Sequence, residues 1–210
     1  FSLKYYQSSG DVRALTLATN TLKWIKSLPH KKGGVAMGNT DIFVNVYSTE
    51  NNLSYYAALR LAQTLTKNAA DKTLFTNEMT GVLNWVKTYA YDSSTGLFKR
   101  GLNDSAKSLD TNTWALLVFG PAALEATFGV NLQNFVSKIE STFAVQSNGS
   151  FGGNILTSIG FDVSDVNNAN ASGGRSGPTN FKGVKWVEGT NQMISVYKEL
   201  ANYYTTVKPN

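Results

Sequence analysis

Cysteine is missing from this sequence and histidine occurs once, at His30. Without a thiol there is no disulfide framework, no cysteine nucleophile and no thiolate zinc site, so neither a metal nor a cofactor is expected. Charge is sparse too. Charged residues make up 16% of the chain against 42% hydrophobic ones, the balance of a folded protein with a neutral polar surface. The formal charge of +5 comes from scattered basic residues, with only short groups such as His30-Lys31-Lys32 and Lys99-Arg100. A nucleic-acid partner would demand a concentrated basic stripe, and none is present. No apolar run approaches the roughly 18 residues that span a bilayer, so no membrane span is expected. The first residue is Phe1, with no charged-then-apolar leader, and the start reads as trimmed or processed. Abundant Asn, Ser, Thr and Tyr beside absent Cys point to an extracytoplasmic or secreted protein.

What the sequence does carry is helical periodicity. A chain of 210 residues without an obvious linker reads as a single domain over 1–210. Residues 12–28 place Val12, Leu15, Ala18, Leu22 and Ile25 on one face before Pro29. Residues 77–90 repeat the pattern with Met79, Val82, Leu83, Val86 and Ala90, and residues 131–143 with Leu132, Phe135, Ile139 and Phe143. These helices have one wet face. Three others read as apolar on most faces: residues 53–65, the run Trp114-Ala115-Leu116-Leu117-Val118-Phe119, and residues 189–204. A helix apolar all round is buried by several neighbours. One-face and many-face helices alternate, which predicts a mainly α fold of stacked helical hairpins. Gly-rich connections lead into the many-face helices, with minor β-hairpins among them. One tight turn is expected at Asn148-Gly149, and a mobile loop over 164–180.

Each many-face helix opens with an acid among small polar residues: Ser48-Thr49-Glu50-Asn51-Asn52, Ser108-Leu109-Asp110-Thr111-Asn112-Thr113 and Trp186-Val187-Glu188-Gly189-Thr190-Asn191-Gln192. If these helices run parallel, Glu50, Asp110 and Glu188 meet at one end and supply a proton donor beside a base. The competing reading is that such residues cap free N–H groups and complement the helix dipole. Gly189 favours a functional Glu188, because glycine in a first turn is costly unless backbone room is needed. Tyr47, Phe98, Trp114 and Trp186 lie near the same helix starts, where flat rings suit sugar faces while Asn51 and Gln192 suit sugar hydroxyls. For Trp114 core packing is the competing reading. His30 reads as a solvated turn residue with no acidic neighbour in sequence to orient it.

These three blocks resemble blocks in bacterial and archaeal proteins of the six-hairpin, α/α-toroid glycosidase-like superfamily. The last block, with Glu-Gly-Thr and Gln, is the most specific, whereas Asn51 stands where members often carry His. The resemblance implies an α/α-toroid-like array of about three to four hairpins, a partial ring, because a complete toroid needs more chain. An open arc favours self-association or a partner segment that completes the ring. The function implied is that of an inverting glycoside hydrolase acting on an oligo- or polysaccharide, and we assign Glu188 as proton donor, Asp110 as base and Glu50 as orienting substrate or exchanging roles with either. A non-catalytic carbohydrate-binding or scaffold domain is the alternative. A polysaccharide lyase using a Tyr with Lys185 or Arg175 ranks third.

Overall fold

Helix starts and stops follow local chemistry closely. The computed structural model describes residues 1–151, 154–165 and 185–208, and in these the chain is mainly α-helical with minor strands. It divides into two compact units.

The first unit comprises Phe1–Ala90 with Gly101–Asn103. Helix α1 (Ser2–Ser9) ends at Gly10, whose φ of 71° is the left-handed cap that glycine accepts without strain. Asp11 then accepts from the Arg13 N–H and starts α2 (Val12–Lys26). A short antiparallel hairpin, β1 (His30–Lys31) and β2 (Gly34–Val35), leads to α3 (Thr49–Leu65). Helix α4 (Ala69–Trp85) packs back on α3 and runs into a π-helical turn at Val86–Ala90. The apolar spacing of α4 reads from residue 77, whereas the Asn68 cap on the Asp71 N–H sets the true start, and Phe75 in the second turn is buried ahead of that spacing. Helix α1 has no sequence signal at all, since Leu3 is its single buried residue.

The second unit comprises Tyr91–Arg100 and Asp104–Asn210. It opens with β3 (Tyr91–Asp92), β4 (Leu97–Gly101) and β5 (Asp104–Lys107), a three-stranded sheet in that order. Helix α5 (Leu109–Phe119) is followed by α6 (Pro121–Phe128), α7 (Leu132–Phe143), the hairpin β6 (Ala144–Phe151) and β7 (Asn154–Phe161), and α8 (Val187–Thr206). Gly120-Pro121 reads as a break in sequence, yet Pro at the first helical position starts α6. The strand register pairs Phe151 with Asn154, so Asn148 and Gly149 lie inside β6 and form no turn. Cross-strand pairing along the whole hairpin overrides the local turn preference. Of the expected loop over 164–180, residues 166–180 lie outside the described residues.

The core of this unit centres on α5, where Leu109, Thr111, Asn112, Thr113, Ala115, Leu116 and Val118 are all buried. The many-face pattern of that helix therefore means burial on several sides. Helix α8 differs. Its buried residues Gly189, Met193, Val196, Leu200 and Tyr203 form a single stripe, and Ile194 and Tyr197 are exposed. Off that stripe, the Tyr197 hydroxyl donates to Glu140 Oε1 of α7 at 2.6 Å.

Candidate functional site

Helices α3, α5 and α8 share one local design. Each follows a β-hairpin, and a side chain in its first turn grips that hairpin's backbone. In α3, Asn52 Oδ1 accepts from the Val35 N–H at 2.8 Å, and its Nδ2 donates to Val35 O at 3.0 Å and Ser48 O at 2.8 Å. In α5, Asn112 repeats this, accepting from the Phe98 N–H at 2.8 Å and donating to Phe98 O at 3.3 Å and Ser108 O at 2.8 Å. In α8, Thr190 Oγ1 accepts from the Phe161 N–H at 3.1 Å and donates to Trp186 O at 2.9 Å, while the Trp186 N–H donates to Phe161 O at 2.8 Å. A primary amide carries both a donor and an acceptor, so one Asn satisfies both backbone groups of a buried strand residue.

The grip falls four residues after the helix-starting residue in every case, which fixes the register of the repeat. Glu50, Asp110 and Glu188 consequently occupy one equivalent position, two residues after Ser48, Ser108 and Trp186. Capping does not account for all three. The cap of α3 is Ser48, whose Oγ accepts from the Asn51 N–H at 3.3 Å. Asp110 does act locally, accepting from the Thr111 N–H at 2.7 Å.

Asp110 and Glu188 belong to the same unit, and their helices lie side by side. Gly189 faces Leu109, and Thr113 Oγ1 donates to Gln192 Oε1 at 2.7 Å. Contacts at 109 with 189 and at 113 with 192 require α5 and α8 to run parallel, with both N-termini at one end. Gln192 Nε2 in turn donates to Glu188 Oε1 at 3.4 Å. Asp110 is half-buried and Glu188 exposed, so both carboxylates reach solvent at that end. Gly189 itself has a packing reason. A Cβ there would stand 2.6 Å from Leu109 Cδ2 and closer still to the Trp186 ring, so the backbone room is filled by the protein's own side chains.

Glu50 is exposed at the start of α3 in the first unit. Beside it, Asn51 lines a cavity of about 320 Å³ between α2, β2 and α3, walled by Trp24, Met37, Ser54, Tyr55 and Ala58 among others. Gln192, Trp114 and Trp186 are half-buried in the second unit. Phe98 and Tyr47 sit elsewhere than a binding surface. Phe98 is fully buried and meets the rings of Tyr91, Phe128 and Phe135 at centroid distances of 5.1, 5.5 and 6.0 Å, because β4 turns it into the core. Tyr47 is buried as well, and its carbonyl accepts from the Leu102 N–H at 3.0 Å.

One cluster in the first unit escapes sequence reading. Glu78, 48 residues beyond His30, meets its Nε2 at 3.2 Å and accepts from the Tyr55 hydroxyl at 3.3 Å through the same oxygen. Burial first, then the Glu78 charge, pushes the Tyr55 hydroxyl far above its ordinary pKa. His30 Nδ1 meets Leu28 O at 2.7 Å, so the ring is held at both nitrogens. No signal in sequence joins α4 to that turn.

No protein-family model matches this sequence, and a search of curated proteins finds no match. No helix among the described residues is long and apolar enough to cross a membrane.

Proposed function

We propose that this chain is a glycan-active protein of α/α-toroid architecture that hydrolyses glycosidic bonds with a pair of carboxyl groups. The observation that carries the reading is the parallel packing of α5 and α8, with Asp110 and Glu188 at equivalent positions on the shared end and Thr113 and Gln192 bridging the helices. The threefold repeat of hairpin, grip and inner helix supports the toroid. Two carboxyl groups roughly 6.5–9.5 Å apart leave room for the water that an inverting hydrolase activates. Glu188 is the proton donor, since it is the more exposed and reaches a leaving group from solvent; Asp110 is the base.

A lyase mechanism has less support. The Lys185 ammonium donates to Ser147 Oγ and Ser158 O at 2.7 Å and also contacts Ser158 Oγ, so it is committed to the β6–β7 hairpin. Arg175 lies outside the described residues. A binding domain without turnover remains the second reading, favoured by Asn51, which offers no imidazole. A glycan library scored for binding and for reducing-end release separates the two. Release that survives both Glu188→Gln and Asp110→Asn would rule out the carboxylate mechanism, and binding without release would favour the second reading.

A further inference from the structure

The cavity between α2, β2 and α3 has walls that the fold holds in place before anything enters. Its deep residues, Leu28, Val35, Ala36, Asn52 and Tyr55, are all buried. Asn52 ties Val35 to α3 through both ends of its amide, the Ala36 N–H donates to Pro29 O at 2.9 Å, and the Met37 N–H donates to Val46 O at 2.9 Å. Trp24 and Met37, 54% and 41% exposed, form the mouth together with exposed Asn51 and Ser54. At about 320 Å³ the space suits a small molecule, since ligand pockets of this size are largely preformed and mostly apolar with a few placed polar groups.

Which small molecule follows from the polar groups that remain. No Asp, Glu, Lys, Arg or His lines the cavity, so an ion stripped of water there would meet no counter-charge. The Asn52 amide is fully engaged with backbone groups, and the Tyr55 hydroxyl is committed to Glu78. The Asn51 amide, the Ser54 hydroxyl and the Trp24 indole N–H have no partner among the described residues, and all three belong to the mouth. A sugar carries a hydroxyl on nearly every ring carbon, and most of these would lie unpaired against the apolar walls. A flat apolar ring instead meets Trp24, Tyr55 and the Met37 thioether, groups that favour aromatic contacts.

We infer that this cavity binds a small uncharged aromatic molecule, its ring among Leu28, Val35, Met37 and Tyr55 and its hydrogen-bonding end at Asn51 and Ser54. Every residue of the site belongs to the first unit, whereas Asp110 and Glu188 belong to the second. The inference therefore stands apart from the hydrolase reading.

Benzamide and benzoate make the test sharp, because they share a ring and a shape and differ in charge; cellobiose supplies the sugar arm. Each is titrated into the isotope-labelled chain and followed by backbone amide shifts in NMR. Benzamide is expected to saturate with a dissociation constant of about 1 mM or below. Its largest shifts should fall at Val35, Ala36, Met37 and Asn51, and benzoate should bind at least about tenfold more weakly. Asn51→Ala and Ser54→Ala remove side chains that bond no other described group, and each should weaken benzamide about threefold to tenfold. Ala58→Leu, which fills the space, should abolish binding; should circular dichroism show it unfolded, Ser54→Phe closes the cavity from its exposed mouth. The proposal is overturned by benzamide shifts that do not saturate or lie away from the cavity, by benzoate or cellobiose binding as tightly, or by affinity unchanged in both alanine variants.

Discussion

Asn112 shows how much one side chain decides here. Its amide carries three hydrogen bonds to backbone groups in a fully buried setting. Asn112→Ala leaves the buried Phe98 N–H without its acceptor, while Phe98 O and Ser108 O keep Thr111 Oγ1 as a donor, and a buried unsatisfied group costs about 1–3 kcal/mol. The expected loss is roughly 2–4 kcal/mol in urea unfolding, with Asn52→Ala losing a similar amount. An ion pair gives a different kind of prediction. Lys107 donates to Asp92 Oδ2 at 2.7 Å and Ser94 Oγ to Oδ1 at 2.6 Å. Lys107 first, and Ser94 next, hold the Asp92 carboxyl far below the usual range. A depressed folded pKa stabilises at pH values above the unfolded one, near 3.9 for Asp, and that stability fades as acid drives the pH from there toward the folded value. Lys107→Met is expected to cost about 1 kcal/mol at pH 7. The gap between variant and parent should narrow progressively below about pH 4 in unfolding curves.

Elements meet where small residues allow it. Gly189 lets α8 approach α5, and a methyl group there would collide with Leu109 and Trp186. Gly189→Ala is expected to destabilise by about 1–3 kcal/mol, the range for forcing atoms into a packed interface. Alanine favours an isolated helix over glycine by nearly 1 kcal/mol, so a stabilised variant in thermal unfolding would contradict the packing account. Helices with an apolar period were legible at this scale: α2 and α7 begin and end close to where the spacing of their apolar residues puts them. Helix α1 and the first half of α4 were not, because each buries a single residue, Leu3 and Phe75, and one buried residue makes no period. The tight turn expected at Asn148-Gly149 was misplaced for the converse reason, since a dipeptide preference yields to the pairing of two eight-residue strands.

On the scale of the whole molecule, the acids divide between two compact units, Glu50 in one and Asp110 with Glu188 in the other. If hydrolysis is the activity, Glu188→Gln and Asp110→Asn each lower kcat by about 10²–10⁴, the usual worth of a general acid or base. Steady-state kinetics on a released sugar measures the loss, and a variant of either residue with intact kcat would remove it from the pair. The sequence alone determined the helical class, the periodic faces and the recurrence of an acid at three helix starts, because these depend on residue types a few positions apart. Only the tertiary structure decided that Asn52, Asn112 and Thr190 hold the hairpins, that Phe98 and Tyr47 are core, and that Gly189 is a packing contact. Those roles depend on which backbone group or ring arrives from elsewhere in the chain, and local spacing carries no record of that.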